Sequence, residues 1–212
     1  MLGTRKQKVL LTLEKDLIAA AQQGSVGAFE QLINQMERKM LSLAAGLATT
    51  PDEAEDIYQE AMLSAFKAMP KFRLESQFST WLYRIVVNTA ISSRRKLKNK
   101  LSRLIVTDRS SYDDNIDHKD MEHYGLPGSG LAANGLPNNP EAELMNEQLN
   151  RAIAQAVASL SDKERIAFVL CHQQDVKIFE AAQVMDCQEG TVKSYLFRAR
   201  EKMREQLQAY RH

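Results

Sequence analysis

Cys187-Gln-Glu-Gly-Thr-Val-Lys-Ser-Tyr-Leu-Phe-Arg-Ala-Arg-Glu-Lys-Met-Arg-Glu-Gln-Leu207 is the stretch whose reading decides the fold. Val192, Leu196, Ala199, Met203 and Leu207 recur at helical period and form one apolar stripe. The opposite face carries Lys193, Ser194, Phe197, Arg198 and Lys202. Cations, a hydroxyl and an aromatic are the side-chain types that meet phosphates and base edges. Gly190 and Thr191 fall in the first turn, where free backbone N–H groups favour a phosphate and a glycine admits close backbone approach.

Upstream lies the surface on which this stripe packs. Ser161-Asp-Lys-Glu164 fits a capping box, and Ile166, Val169 and Leu170 mark the helix that follows. Val176 to Met185 reads as a second short helix, and Asp186-Cys187 as the break, since Asp tolerates turn geometry. Short helix, tight turn, longer basic helix is the helix-turn-helix pattern, with the last helix as the major-groove reader. The plainer reading is a helical hairpin with a solvated charged face.

Composition narrows the field. With 212 residues, 44% hydrophobic and 26% charged, the chain is expected to be globular, as one domain or two small ones. No run of about 18 apolar residues is present, so no stable membrane insertion is expected. The N-terminal Thr4-Arg-Lys-Gln-Lys8 precedes only a short apolar run, which makes a poor secretory signal and a cytoplasmic location the expectation. The net charge is only +1, so a nucleic-acid role requires local segregation of charge. Cys171 and Cys187 lack zinc-site spacing and read as small packing residues. Clustered carboxylates with metal-ligand spacing, a Ser/His/Asp arrangement and a phosphate-cradling glycine loop are not found, so neither catalysis nor a cofactor or metal is expected.

Residues 14 to 103 read as almost all helix. Leu17 to Ala21 is the first apolar segment, Gly24-Ser25 a stop and restart, and Phe29, Leu32, Ile33, Met36, Met40 and Leu43 a continuing core stripe. Thr49-Thr50-Pro51 offers a cap and a first-turn proline, followed by carboxylates that suit a helix N-terminus. That helix closes at Pro70. Lys71 to Phe78 is a cationic loop with two phenylalanines. Ser79 or Thr80 is expected to cap a helix over 81–96 that is apolar nearly all round at first and ends in Arg94, Arg95, Lys96, Lys98, Lys100 and Arg103. Residues 104 to 140 are acidic, then rich in Gly and Pro, and read as a flexible linker. A second helical unit is expected from 141. The architecture is all-α: two small helical domains on a tether, 14–103 and 141–212, after a short N-terminal tail, 1–13.

Two blocks resemble one family. Asp52-Glu-Ala-Glu-Asp-Ile-Tyr-Gln-Glu60 and Phe72-Arg-Leu-Glu-Ser-Gln-Phe-Ser-Thr-Trp-Leu-Tyr-Arg-Ile-Val-Val-Asn-Thr-Ala90 resemble region two of bacterial sigma factors of the extracytoplasmic-function (ECF) group. Ser159 to Arg165, Met185 to Ser194 and Phe197 to Glu201 resemble region four, and look sigma-E-like. The resemblance implies a promoter-specificity subunit. Region two would bind the clamp coiled coil of the largest subunit of core RNA polymerase and read the −10 element. Region four would read the −35 element and meet the flap. An anti-sigma factor is an implied partner.

Carried onto this sequence, Asp56, Gln59 and Glu60 fall in the polymerase-binding helix. Lys71, Phe72, Arg73, Arg84 and Asn88 fall at −10 positions, with Phe72 as stacking surface and Asn88 as polar partner for a flipped base. Phe72 and Phe78 also suit a hydrophobic lid on the helix core, Phe78 more than Phe72, and Trp81 either packs or joins the melting surface. Lys193, Ser194, Phe197 and Arg198 match base-reading positions of the −35 helix, and Thr191 and Arg200 phosphate-contacting ones. Leu74 stands where the family's loop usually has glycine, and Gln188 where proline is usual. The competing reading is a stand-alone helix-turn-helix regulator that binds operator DNA as a dimer, with residues 14 to 103 sensing or dimerising.

Overall fold

The computed structural model describes residues 13–106 and 152–208, with side chains in the first span through residue 99. Helices dominate both spans, and no strand occurs among the described residues. Helix α1 covers 13–22, α2 Val26–Asn34, α3 Glu37–Leu47 and α4 Pro51–Ala68. A 3-10 turn, Met69–Lys71, and a loop lead to the long α5, Phe78–Val106. In the second span α6 covers 152–158 and α7 Asp162–Phe168. A π turn, Val169–Gln173, precedes α8, Ile178–Met185, and α9, Glu189–Gln206.

Local chemistry sets most boundaries. Gly24 takes a φ of 93°, and the Ser25 side chain then caps α2 by accepting from the Ala28 N–H. Thr50 caps α4 by accepting from the Glu53 N–H, with Pro51 in the first turn. Glu53 in turn takes the Thr49 N–H at 2.7 Å and hydroxyl at 2.6 Å. Asp186 sits in the left-handed region, φ 52° and ψ 52°, and ends α8. Three expectations shift. The stripe from Phe29 to Leu43 is divided, since the chain turns at Gln35 and Met36 between α2 and α3. Neither Ser79 nor Thr80 is a cap: α5 starts at Phe78, and the Trp81 N–H already bonds the Gln77 carbonyl. α5 also runs to Val106, past the expected end at 96. The linker expected over 104–140 otherwise lies outside the described residues, as does the expected start of the second unit.

The core of the first unit is built from Leu32, Met40, Leu43, Leu47, Ile57, Met69, Leu82, Val86 and Val87. That of the second uses Leu170, Ala181, Val184, Val192, Leu196 and Ala199, which includes the upper half of the stripe read from the sequence. The two units are not held apart. α8 packs on α5 and the π turn packs on α3, so the buried residues form one continuous apolar cluster. Gly46 makes the close approach: a Cβ there would lie 2.8 Å from Val169 Cγ1 and 2.5 Å from Gln173 Oε1. Polar links flank it. Gln174 donates to the Ser42 hydroxyl at 2.9 Å. Arg94 pairs with Asp162 and donates to the Leu47 carbonyl at 2.5 Å. The tether picture expects two separate cores. It misses this contact because neither unit's amphipathic pattern reports which apolar surface meets which.

Candidate nucleic-acid and polymerase interfaces

Helix α9 presents its polar face to solvent. Val192 and Leu196 are buried against α7 and α8, which turns Lys193, Ser194, Phe197 and Arg198 outward. These four line one shallow depression of about 320 Å³. Phe197 is 66% exposed, an uncommon state for phenylalanine and one that leaves its ring available to an apolar base edge. Ser194 donates its hydroxyl to the Gly190 carbonyl at 3.0 Å, so its oxygen lone pairs face outward as acceptors. The N-cap Gln188 is extended, φ −77° and ψ 151°, and makes no side-chain capping bond. Its carbonyl takes the Thr191 N–H at 2.9 Å. The missing proline at 188 therefore leaves the start of the helix regular.

Two predicted contact residues are tethered. Arg200 directs Nε, at 3.3 Å, and one terminal nitrogen, at 3.2 Å, to His172 Nε2. That ring nitrogen must accept, so the neutral imidazole carries its proton on Nδ1. Burial, then the Arg200 charge, lowers the His172 pKa from its ordinary 6.5, opposed by Asp175. Arg198 lies 3.5 Å from the buried carboxylate of Glu164, and Lys202 donates to the same carboxylate at 2.8 Å. The sequence shows Glu164 only as a capping-box residue. The box is present, but the carboxylate's burial beneath two cations of α9 appears only in the tertiary structure.

On the first unit the −10 candidates divide. Lys71, Arg73, Arg84 and Asn88 are exposed, with Arg84 and Asn88 one turn apart on α5. Phe72 is not available: it is 5% exposed, with its ring 4.9 Å from Trp81 and 6.0 Å from Phe78. The stacking platform expected at Phe72 is thus a buried member of a three-ring cluster in this conformation. Gln22 fixes the loop there by donating to the Phe72 carbonyl at 2.7 Å. Trp81 packs against both phenylalanines. Leu74 is exposed in the turn and is not among the positive-φ residues, so this loop does not require the family's glycine. Arg84 lies 3.3 Å from Asp186, the turn residue of the helix-turn-helix. Arg94, the first cation of the basic stretch read at the end of α5, is held between the units.

Asp56, Gln59 and Glu60 are exposed on α4. Glu60 pairs with Lys96 at 3.1 Å, an open ion pair that water screens well. Gln59 also borders an apolar groove of about 410 Å³ between α2 and α4, lined by Phe29, Ile33, Tyr58, Met62 and Leu63. The sequence reading missed this groove. Leu63 and Phe66, both exposed and one turn apart beside the expected polymerase-binding residues, are the signal that could have found it. Cys171 and Cys187 are half-buried free thiols, and burial raises both pKa values. No group of metal-ligating side chains occurs among the described residues, and none of their helices is long and apolar enough to cross a membrane.

Comparison with known proteins matches both units. Residues 32–100 fit the family model Sigma-70 region 2, and residues 150–203 fit Sigma-70, region 4. This pair of modules defines a sigma-70-type factor. The chain is 32% identical over 201 residues to the RNA polymerase sigma-H factor of Pseudomonas aeruginosa, covering 94% of this chain and 97% of that protein. It is 34% identical over 185 residues to the ECF RNA polymerase sigma-E factor of Escherichia coli K12, covering 87% and 89%. The chain therefore belongs to the sigma-70 family, in its extracytoplasmic-function group. Among solved structures, the sigma factor RpoE in complex with the anti-sigma factor NepR from Bartonella quintana shares the fold, with a TM-score of 0.62, 22% identity and 86% and 98% coverage. CnrH in complex with the cytosolic domain of CnrY does so at a TM-score of 0.60, 20% identity and 93% and 98% coverage. The region-2 match also accounts for the unit that the regulator reading leaves to sensing or dimerisation, so that reading is not favoured.

Proposed function

We propose that this protein directs core RNA polymerase to a set of promoters, reading the −35 element with α9 and the −10 element with the loop 71–77 and α5. The observation that carries this is the open face of α9, where Lys193, Ser194, Phe197 and Arg198 share one depression while the apolar stripe behind them is buried. Asp56, Gln59 and Glu60 on α4 are the polymerase-binding residues, with the adjacent apolar groove as part of that surface. The factor has no chemistry of its own; the polymerase makes the bonds.

The packed arrangement places a constraint on this activity. Arg84, a −10 candidate, is held by Asp186, and α8 covers part of α5. The two units must separate before both can meet one duplex, and binding to polymerase supplies the free energy. An anti-sigma factor, the kind of partner seen with the Bartonella quintana relative, would act by favouring the packed state. The test is transcription by core polymerase with and without the chain on a library of promoter fragments. Promoter-specific transcripts are expected only with the chain. A gel shift of promoter DNA by the chain alone, equal to that with polymerase, overturns the proposal.

A further inference from the structure

Glu164 is 6% exposed, although it belongs to the module that meets DNA, where a carboxylate repels phosphates. Its Oε2 accepts from the Ser161 backbone N–H at 3.0 Å and from Lys202 Nζ at 2.8 Å. Its Oε1 faces Arg198 Nε at 3.5 Å. Burial pushes this carboxyl pKa up, but the bonds from Lys202 and Ser161 more than reverse that, so it lies below its ordinary value. Two cations around one carboxylate leave the patch net positive. The Arg198 guanidinium also lies over the Tyr195 ring, with Cζ 5.2 Å from the centroid.

This geometry leaves Arg198 half used. Its Nε lies 3.5 Å from Glu164 Oε1, an ion pair rather than a hydrogen bond, while the side chain is 55% exposed. The two terminal nitrogens form the fork that matches O6 and N7 of guanine in the major groove. An exposed arginine without such a support samples many rotamers and must lose that freedom on binding.

Resting on the reading of α9 as the −35 helix, we propose that Glu164 is a positioning residue for promoter recognition. It braces Arg198 through the ion pair at Nε and presents the terminal nitrogens to one guanine of the −35 element. Lys202 neutralises the remaining charge and meets phosphate without reading sequence.

The experiment uses holoenzyme assembled from core RNA polymerase and the full chain. The probe is a duplex library randomised across the −35 window over a fixed −10 region, sequenced after selection for binding. Wild type is expected to show a position of strong guanine preference that Arg198→Ala abolishes. Glu164→Gln, which keeps an acceptor for the Ser161 N–H, is expected to lower the guanine preference at that position about tenfold and leave the others unchanged. Lys202→Met is expected to keep the preference and reduce the salt dependence of binding by about one phosphate contact. If Glu164→Gln shows no cooperative thermal unfolding, Glu164→Asp decides. It keeps the charge, withdraws it by one methylene, and is expected to weaken the same position. Full guanine preference in the deciding variant, where Arg198→Ala has lost it, overturns the proposal. Equal loss at every position also overturns it, since that marks a damaged module. If Arg198→Ala itself keeps the preference, the reading of the α9 face has failed instead.

Discussion

Phe72 and His172 illustrate how much a single side chain's surroundings constrain its role. Phe72 is locked edge-on to Phe78 and tilted against Trp81, so its main contribution in this state is to packing. Phe72→Ala is expected to destabilise the first unit by about 3–5 kcal/mol in denaturant unfolding. A loss well under 1 kcal/mol would mean that the ring is not a core member in solution. For any base to stack here, the aromatic cluster must first open. His172 holds Arg200 only while its imidazole is neutral. Its folded pKa is lowered, so the folded state binds this proton less tightly than the unfolded state, whose value is near 6.5. The contribution to stability is complete above that value and is lost as pH falls through the folded one. Thermal midpoints measured from about pH 8 to pH 5 should therefore fall more steeply for wild type than for His172→Gln, which accepts a bond but does not titrate. Identical slopes would remove His172 from the account.

At the scale of the element, helix ends decide the geometry of the exposed face of α9. The capping box from Ser161 to Glu164 starts α7 and sets the carboxylate under α9. Ser161→Ala is expected to cost about 1 kcal/mol of stability. The turn between α8 and α9 rests on Asp186 in the left-handed region, next to Cys187, whose N–H bonds the Ala182 carbonyl at 3.0 Å. A β-branched residue resists that conformation, so Asp186→Val should destabilise the second unit by about 1–2 kcal/mol and weaken −35 binding with it. Unchanged calorimetric stability would show that the turn relaxes freely. Much of this was legible in the sequence. The capping box, the Thr50-Pro51 start, the Gly24-Ser25 restart and the αL turn are local devices, each written in adjacent residues. The start of α5 was not, because Phe78, its first residue, packs its ring against Phe72 and Trp81, and that contact is not written in adjacent residues.

For the molecule as a whole, the interface between the units is the feature on which the proposed activity turns. Gly46 is a point of close approach within it, and both side chains that an added Cβ would meet belong to the second unit. Gly46→Val should therefore wedge the units apart while leaving the first unit's own packing in place. A larger radius of gyration by small-angle X-ray scattering is expected, with tighter binding to core polymerase. An unchanged radius would indicate that the units already separate freely in solution. The sequence by itself determined the two helical modules, the polarity of α9 and the family to which both blocks point. Each of these rests on residues within a few turns of one another, at a spacing that the helix fixes. Only the tertiary structure decided that Phe72 is buried, that Arg94 bridges to Asp162 and Leu47, that Glu164 lies under Arg198, and that one apolar cluster spans both units. Contacts between elements reach far along the chain, 38 positions for the Lys202–Glu164 bond and 132 for Gln174–Ser42. Periodicity marks a face as apolar but carries no information about its partner.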